Sequence, residues 1–253
     1  MVGIFDSGSG GLTVMKAVRE LLPTSDIVYF GDIVHAPYGS KSQEELSRYT
    51  AESLTLLKER GAERIISACN SVSASLALSL FDAFNLEPGD IIEMVGPTVS
   101  YFKESQVRIM LCATPATIKA GIYQNAFHMI GHEVAAVAVP DLAGAIEFAQ
   151  GEQKQRELIK DAFKDVDWSN YDVLILACTH YPLSLDIFKE LVPESVIIFD
   201  PAMAVAERAR KQFWPKEVRD TKTQFLISQD SQPFRELVAR LFPDAANNIE
   251  IVG

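Results

Sequence analysis

The sequence predicts an α/β fold with two similar domains, each built on a mainly parallel sheet flanked by helices. Three observations support this prediction. Short apolar runs of strand length alternate with helical patterns along the whole chain, which is typical of parallel sheets covered on both faces. The alternation restarts near residue 96. The segment IISACNS at residues 65–71 is also similar to a second segment, LILACTH, at residues 174–180.

The first half contains four predicted strands and three predicted helices. The second helix has the clearest start signal, because Ser42 is followed three residues later by Glu45, the pattern of a capping box. The first helix should end before Pro23, since proline rarely continues a helix. The predicted strands are residues 2–5, 27–30, 64–68 and 91–95, and the predicted helices are residues 12–22, 42–60 and 72–84.

The second half repeats this alternation, and the tail adds more of it. Strands are predicted at residues 107–111, 134–139, 173–177 and 196–199, with helical segments at 113–130, 142–164 and 183–191. The tail is predicted to contain helices at 202–213 and 232–242 and strands at 224–227 and 249–252. The assignments follow the spacing of apolar residues, which differs between helices and strands.

The predicted domains are residues 1–95 plus 201–253, and residues 96–200. The tail is assigned to the first domain because it must return somewhere once the second sheet is complete. Open parallel sheets bind ligands outside the carboxyl ends of their strands. We therefore expect the loops after residues 5, 30, 68, 111 and 177 to converge on a site in the cleft between the domains.

Composition limits the classes of partner and compartment. The 253 residues carry a formal net charge of −11, which disfavours nucleic acid and anionic membrane surfaces as partners. There is no apolar run long enough to span a bilayer and no signal-peptide pattern at the N-terminus. Three cysteines do not make a disulfide framework, so a cytoplasmic location is expected.

Two of the three cysteines occupy matching positions. Cys69 and Cys178 each follow an apolar strand and precede small polar residues and a helical pattern. A helix N-terminus is expected to lower the thiol pKa and favour thiolate. A cysteine after an apolar strand is more often inert, and Cys112 is interpreted in that way. The repeated context of the other two predicts a pair of bases facing one another across a cleft.

Several loop motifs carry a resemblance to a known family. They are FDSGSGG at 5–11, YFGD at 29–32, PYG at 37–39, ACNS at 68–71, ATPATI at 113–118 and ACTHYPL at 177–183. Together they resemble the glutamate racemase branch of the aspartate/glutamate racemase family. The resemblance implies two α/β domains with the active site between them. It also implies cofactor-independent interconversion of L- and D-glutamate, supply of D-glutamate for peptidoglycan, and a homodimer.

The resemblance also implies roles for individual residues. Cys69 and Cys178 would be the catalytic acid/base pair, tuned by Asp6 and His180, with Glu147 as a third such group. The implied substrate-binding set is Asp6, Ser7, Pro37, Tyr38, Gly39, Asn70, Ser71, Thr117, Thr179 and His180. No metal site is expected, because two cysteines and one histidine at these separations lack zinc spacing.

The implied chemistry suits these residue types. Inverting Cα requires a base on one face and an acid on the other, and the ordinary cysteine pKa of about 8.5 lies near working pH. The segment Ile33-Val34-His35 departs from the family, which usually has a small polar residue, an alanine and an arginine there. The sequence indicates no partner for His35, His128 or His132, and we expect them to be surface or packing residues.

Other functions remain open at this stage. One is racemisation of another acidic amino acid, such as aspartate. A second is a cysteine-nucleophile hydrolase or lyase in which Cys178 attacks and His180 is the base. A third is a non-catalytic relative that binds an acidic metabolite or a protein partner. The glycines at residues 8–11 are equally consistent with a turn and helix cap.

Overall fold

The computed structural model describes residues 1–73, 84–213 and 221–252, and its strands form two parallel sheets. The first sheet contains β1 (Val2–Asp6), β2 (Ile27–Gly31), β3 (Arg64–Ser67), β4 (Ile91–Ile92), β9 (Thr223–Ile227) and β10 (Ile249–Ile251). The second contains β5 (Ile109–Ala113), β6 (Val134–Ala138), β7 (Val173–Ala177) and β8 (Ile197–Phe199). Their spatial orders are β10-β9-β2-β1-β3-β4 and β6-β5-β7-β8.

Helices cover both sheets. They are α1 (Leu12–Leu21), α2 (Gln43–Glu59), α3 (Asn70–Ser73), α4 (Val95–Tyr101), α5 (Pro115–Ala120), α6 (Ile122–Met129), α7 (Leu142–Glu147), α8 (Glu152–Phe163), α9 (Leu185–Leu191), α10 (Ala202–Phe213) and α11 (Gln232–Leu241). The predicted α/β fold with two mainly parallel sheets is confirmed. Within the described ranges, no helix combines the length and apolarity needed to cross a bilayer.

The register of the sheets brings the strand ends together. In the first sheet, Phe5 of the central strand β1 lies opposite Phe30 and Ser67, so the residues after β1, β2 and β3 emerge at one edge. In the second sheet, Ala113 lies opposite Ala177, so the residues after β5 and β7 also share an edge. The polar loops that contain the sequence motifs lie at these edges.

The predicted capping box at the start of α2 is present. Glu45 N donates to Ser42 Oγ over 3.3 Å, and Ser42 N donates to Glu45 Oε2 over 2.8 Å. These bonds satisfy backbone N–H groups that the first turn of a helix leaves without partners.

The tail joins the first sheet. Strand β9 pairs in parallel with β2, and β10 pairs with β9. Helix α10 packs on α1, with Ala206 and Ala209 in the same apolar cluster as Met15 and Val18. This packing accords with assigning the tail to the first domain, although the domain boundaries themselves stay a prediction.

Two predicted strands differ from the structure by more than one residue at an end. The strand expected at 91–95 ends at Ile92, and α4 begins at Val95, because the Glu93 carboxylate accepts hydrogen bonds from Val95 N (2.5 Å) and Gly96 N (2.6 Å). The strand expected at 107–111 is shifted to Ile109–Ala113 by its pairing with β7.

Several predicted helices are also shorter than expected. Left-handed backbone at Gly121 (φ 66°) divides the segment 113–130 into α5 and α6, since this conformation cannot continue a helix. Left-handed Ala149 and Gly151 similarly separate α7 from α8. Helix α9 begins at Leu185, after a 3₁₀ turn at Tyr181–Ser184. Residues 74–83 of the predicted helix 72–84 lie outside the described residues.

Candidate active site

The loops at the carboxyl edges of the two sheets enclose one small, largely buried cavity. Most of the predicted site residues line it: Ser7, Pro37, Tyr38, Gly39, Cys69, Asn70, Ser71, Cys178, Thr179 and His180. Thr114 and Ala143 also line it, and the sequence analysis did not identify them. The predicted residues Asp6, Glu147 and Thr117 are buried and hydrogen-bonded to lining residues.

The sequence carries a signal for Thr114 in the motif ATPATI, but the predicted strand end at residue 111 did not place Thr114 next to the strand. In the structure Thr114 follows β5 directly, and the pairing of Ala113 with Ala177 places it at the level of Cys178. The motif ATPATI contains both Thr114 and Thr117, but only Thr117 was assigned a role. Ala143 carries no chemical signal that distinguishes it from any other buried alanine.

The two cysteines occupy equivalent positions on opposite sheets. Cys69 follows β3 and Cys178 follows β7, and both are buried free thiols in the lining of the same cavity. The charge of Cys178 contributes to the electrostatic environment of Cys69, which places the two thiols within interaction range. The third cysteine, Cys112, is fully buried in the core of the second half and does not line the cavity.

The expected lowering of the Cys69 thiol pKa is wrong for this structure. Burial raises the pKa of Cys69, and the Asp6 carboxylate raises it further. Hydrogen bonds from the Val72 N–H and the Ser7 hydroxyl act in the opposite direction but do not compensate. A helix N-terminus favours thiolate where solvent is near, whereas a closed cavity disfavours any isolated charge.

Asp6 links the first turn to the second half of the chain. Its Oδ2 accepts from Gly11 N (2.9 Å) and Gly8 N (3.3 Å), and its Oδ1 accepts from Thr179 Oγ1 (3.2 Å). The carboxylate is therefore held rigidly by backbone and hydroxyl donors, beside Cys69.

A buried ion pair lies behind Cys178. Nε2 of His180 is 2.6 Å from Glu147 Oε2, and the His180 Nδ1 is 4.0 Å from Cys178 Sγ. Ser9 donates to the same Glu147 oxygen from its backbone N (2.8 Å) and its hydroxyl (2.7 Å). These contacts form a side-chain network, Ser9–Glu147–His180–Cys178, that connects the first half of the protein to the second.

The pair is charged. Burial disfavours an imidazolium, but the contacts of His180 with Cys178 and Glu147 outweigh it and hold the pKa of His180 well above its ordinary value. Burial likewise acts against the Glu147 carboxylate, while His180 and Ser9 together keep the pKa of Glu147 below its ordinary value. Cys178 therefore has a positively charged proton donor beside it.

The glycine-rich turn allows the two halves to approach closely. A Cβ on Gly8 would lie 2.5 Å from Glu147 Oε2, and one on Gly10 would lie 2.6 Å from His180 Nδ1. Tyr29 OH donates to the Gly8 carbonyl over 2.7 Å and fixes the turn. Glycine at these positions is required by the contact between the halves.

Three hydroxyl groups form a cluster at another wall of the cavity. Ser71 Oγ is 3.0 Å from Thr114 Oγ1 and 3.4 Å from Thr117 Oγ1, and the two threonine oxygens are 3.1 Å apart. Gly39 packs against Thr114, since a Cβ there would lie 2.7 Å from the threonine side chain. Hydroxyls of this kind can donate to a carboxylate.

One lining residue has an unused donor. The Asn70 Oδ1 accepts from Tyr123 OH, but its Nδ2 is buried and has no hydrogen-bond partner among the residues that the structure describes. Such an atom is unfavourable unless a ligand satisfies it. No lysine or arginine is among the described residues that line the cavity, so an anionic ligand would be bound by amide and hydroxyl donors.

The arrangement suits proton transfer more than metal chemistry. Two thiols share one cavity, one beside a carboxylate and the other beside a histidine. Among residues 1–73, 84–213 and 221–252, no group of three or more His, Cys, Asp and Glu side chains is arranged to hold a metal ion.

Comparison with known proteins identifies the family of the chain. The profile of the Asp/Glu/Hydantoin racemase family matches residues 9–209. The chain is 36% identical to the glutamate racemase of Desulforudis audaxviator, covering 83% of this chain and 77% of that protein, and 37% identical to that of Aquifex aeolicus, covering 81% and 80%. It also resembles the crystal structure of the Francisella tularensis glutamate racemase in complex with D-glutamate (TM-score 0.87, 26% identity), covering 100% of this chain and 97% of that one. The chain therefore belongs to the Asp/Glu/hydantoin racemase family and is an isomerase of the amino-acid racemase class.

Proposed function

We propose that this chain interconverts L- and D-glutamate without a cofactor, with Cys69 and Cys178 as its two acid/base groups. The observation that carries the proposal is that both thiols line one closed cavity from opposite sheets. Inversion needs a base on one face of Cα and an acid on the other, and a pair of opposed thiols supplies both without moving.

Each thiol has a different partner, which suits its alternating role. The Asp6 carboxylate beside Cys69 favours the protonated thiol, while the imidazolium of His180 beside Cys178 supplies a proton. An ammonium group bound near Asp6 would offset that negative charge and make proton loss from Cys69 easier. Substrate binding would thereby prepare the base that the reaction needs.

The remaining groups suit a dicarboxylic amino acid. Removal of the α-proton needs hydrogen-bond donors that stabilise the developing charge and a site that excludes water. The free Asn70 Nδ2 and the hydroxyls of Ser71, Thr114, Thr117 and Thr179 are the donors available to the two carboxylates. Glutamate is favoured because relatives at 36% and 37% identity are glutamate racemases.

The test is racemisation in D₂O, starting separately from each enantiomer of glutamate and of aspartate. We expect glutamate to invert with deuterium entering at Cα, and Cys69→Ala and Cys178→Ala each to lose about 10²–10⁴-fold in rate or more. Full racemisation by either single variant would rule out the two-base mechanism. A clear preference for aspartate would mean that aspartate, and not glutamate, is the substrate.

A cysteine nucleophile with His180 as base is the competing reaction class. It is disfavoured because a single nucleophilic thiol leaves the second thiol in the same cavity, Cys69, without a role. Mass spectrometry of the protein with slow substrates would detect a covalent adduct on Cys178. An adduct without racemisation would replace the present proposal, and D-glutamate formation would exclude a non-catalytic binding role.

The wider role is part of the same proposal. D-glutamate made here would supply peptidoglycan synthesis in the cytoplasm, and the protein would act as a homodimer. Three free cysteines are consistent with a reducing compartment. Sedimentation of the purified protein at several concentrations tests whether it is a dimer. To test the cellular role, the protein is depleted: cell-wall synthesis should then stop and should be restored by added D-glutamate.

A further inference from the structure

His35, for which the sequence indicated no partner, is held between two groups. Its ring stacks on Tyr49 with centroids 4.0 Å apart and planes inclined by 18°. Its Nδ1 lies 2.7 Å from Asp32 Oδ2. The proposed reaction steps do not use this residue, and its side chain is one-third exposed.

The Asp32 carboxylate gathers three donors. Its Oδ2 accepts from Tyr38 OH (2.6 Å) as well as from His35, and its Oδ1 accepts from Ser228 Oγ (2.9 Å). A carboxylate oxygen accepts hydrogen bonds, so we assign the Nδ1 proton of His35 to this contact. Asp32 is almost fully buried, so these three donors take the place of water around its oxygens.

Tyr38 extends this network to the cavity. It lines the cavity between Pro37 and Gly39, and burial together with Asp32 raises the pKa of its phenol, which keeps it protonated and able to donate. Tyr49 also packs against the Tyr38 ring, with centroids 5.5 Å apart. His35 and Tyr38 therefore share both a carboxylate and an aromatic neighbour.

We infer that His35 is a positioning residue for the substrate pocket: it holds Asp32 and Tyr49, and through them it holds Tyr38 and the loop 37–39 against the cavity. The inference rests on the proposed function, since it treats the cavity as the glutamate site. His35 touches neither thiol in the structure described here, so it affects substrate binding more than proton transfer.

Two variants separate the two contacts of this side chain. His35→Phe keeps an aromatic ring for Tyr49 but removes the donor to Asp32. His35→Asn places an amide donor near the position of Nδ1 but removes the ring. Loss of one hydrogen bond to a charged acceptor corresponds to about tenfold, so His35→Phe should raise KM for both enantiomers about tenfold with kcat nearly unchanged. His35→Asn should recover most of that loss.

A second histidine provides the matched control. His128 Nδ1 lies 2.7 Å from Glu133 Oε1 at the exposed surface, the same kind of contact away from the cavity. His128→Phe should leave KM unchanged. Hydrogen–deuterium exchange of residues 36–41 gives a readout that is independent of activity: it should increase in His35→Phe and stay near wild type in His35→Asn and His128→Phe.

The outcomes distinguish this inference from the proposed function. If wild type racemises glutamate and His35→Phe changes neither KM nor exchange of the loop, the positioning role is wrong and the proposed function stands. If wild type does not racemise glutamate, the proposed function fails, and the exchange of residues 36–41 alone decides whether His35 holds the loop. Equal loss in both His35 variants, with lowered thermal stability, would mean a general structural role and would overturn the inference.

Discussion

Replacement of Gly10 by alanine tests the close contact between the two halves. An added Cβ would lie 2.6 Å from His180 Nδ1, 2.7 Å from Thr179 Oγ1 and 2.9 Å from His180 Cε1, all closer than real Cβ contacts allow. Gly10 does not have a left-handed φ, so the cost comes from the collision and not from backbone strain. Overpacking of this kind costs about 1–3 kcal/mol.

The collision should lower activity more than stability. Gly10 and His180 come from opposite halves, so a small parting of the halves can relieve the contact cheaply. The same movement shifts the cavity-lining residues of the first half away from Cys178. Misplacement of reacting groups by about 1 Å can lower the rate about 10²-fold. We expect kcat/KM to fall by about 10²-fold while Tm falls by about 2–4 °C for each kcal/mol lost.

Gly89→Ala is the matched control for this experiment. A Cβ on Gly89 meets no described atom within 4 Å, and its φ is also outside the left-handed region. Racemisation is followed by circular dichroism and stability by thermal denaturation, side by side for both variants and wild type. Wild-type kcat/KM in Gly10→Ala would refute the reasoning, because the turn would then tolerate a side chain against His180.

Three further predictions concern stability. Glu147→Gln should lower the free energy of unfolding by about 3–5 kcal/mol, because it leaves a buried imidazolium unpaired. The pKa of His180 is raised and that of Glu147 is lowered, so the Tm difference from wild type should be largest between about pH 4.5 and 6.5. The difference should shrink as pH rises through the raised pKa of His180. A pH-independent difference would contradict the charged pair. Cys112→Ala should cost about 1 kcal/mol and leave racemisation unchanged, and a loss of racemisation would give this cysteine a role in the site. Ser42→Ala should lower the free energy of unfolding by about 1 kcal/mol through loss of the α2 cap, measured by urea denaturation, and Ser42→Asn, which keeps a capping oxygen, should recover most of it.

Local patterns were sufficient to predict much of the fold because they report which faces of each element are buried. The strand 173–177 and the helix 202–213 agree with the structure in both bounds, since apolar periodicity and turn residues define them. Segments that depend on a single backbone conformation were predicted less well. Left-handed Gly121 and the Glu93 cap are decided by local geometry that apolar spacing does not encode.

The sequence by itself determined where the chemistry-bearing residues lie along the chain: each cysteine at the end of an apolar strand, Asp6 before a glycine turn, and Tyr38 in a loop at the sheet edge. The tertiary structure decided their electrostatics. The thiol pKa of Cys69 rises because the fold buries the side chain and places it beside the Asp6 carboxylate, which lies 63 positions away in the sequence. His35 likewise acquired its role from Tyr49, which the fold stacks against its ring. Desolvation and contacts across the cleft depend on distances between elements that the order of residues leaves open.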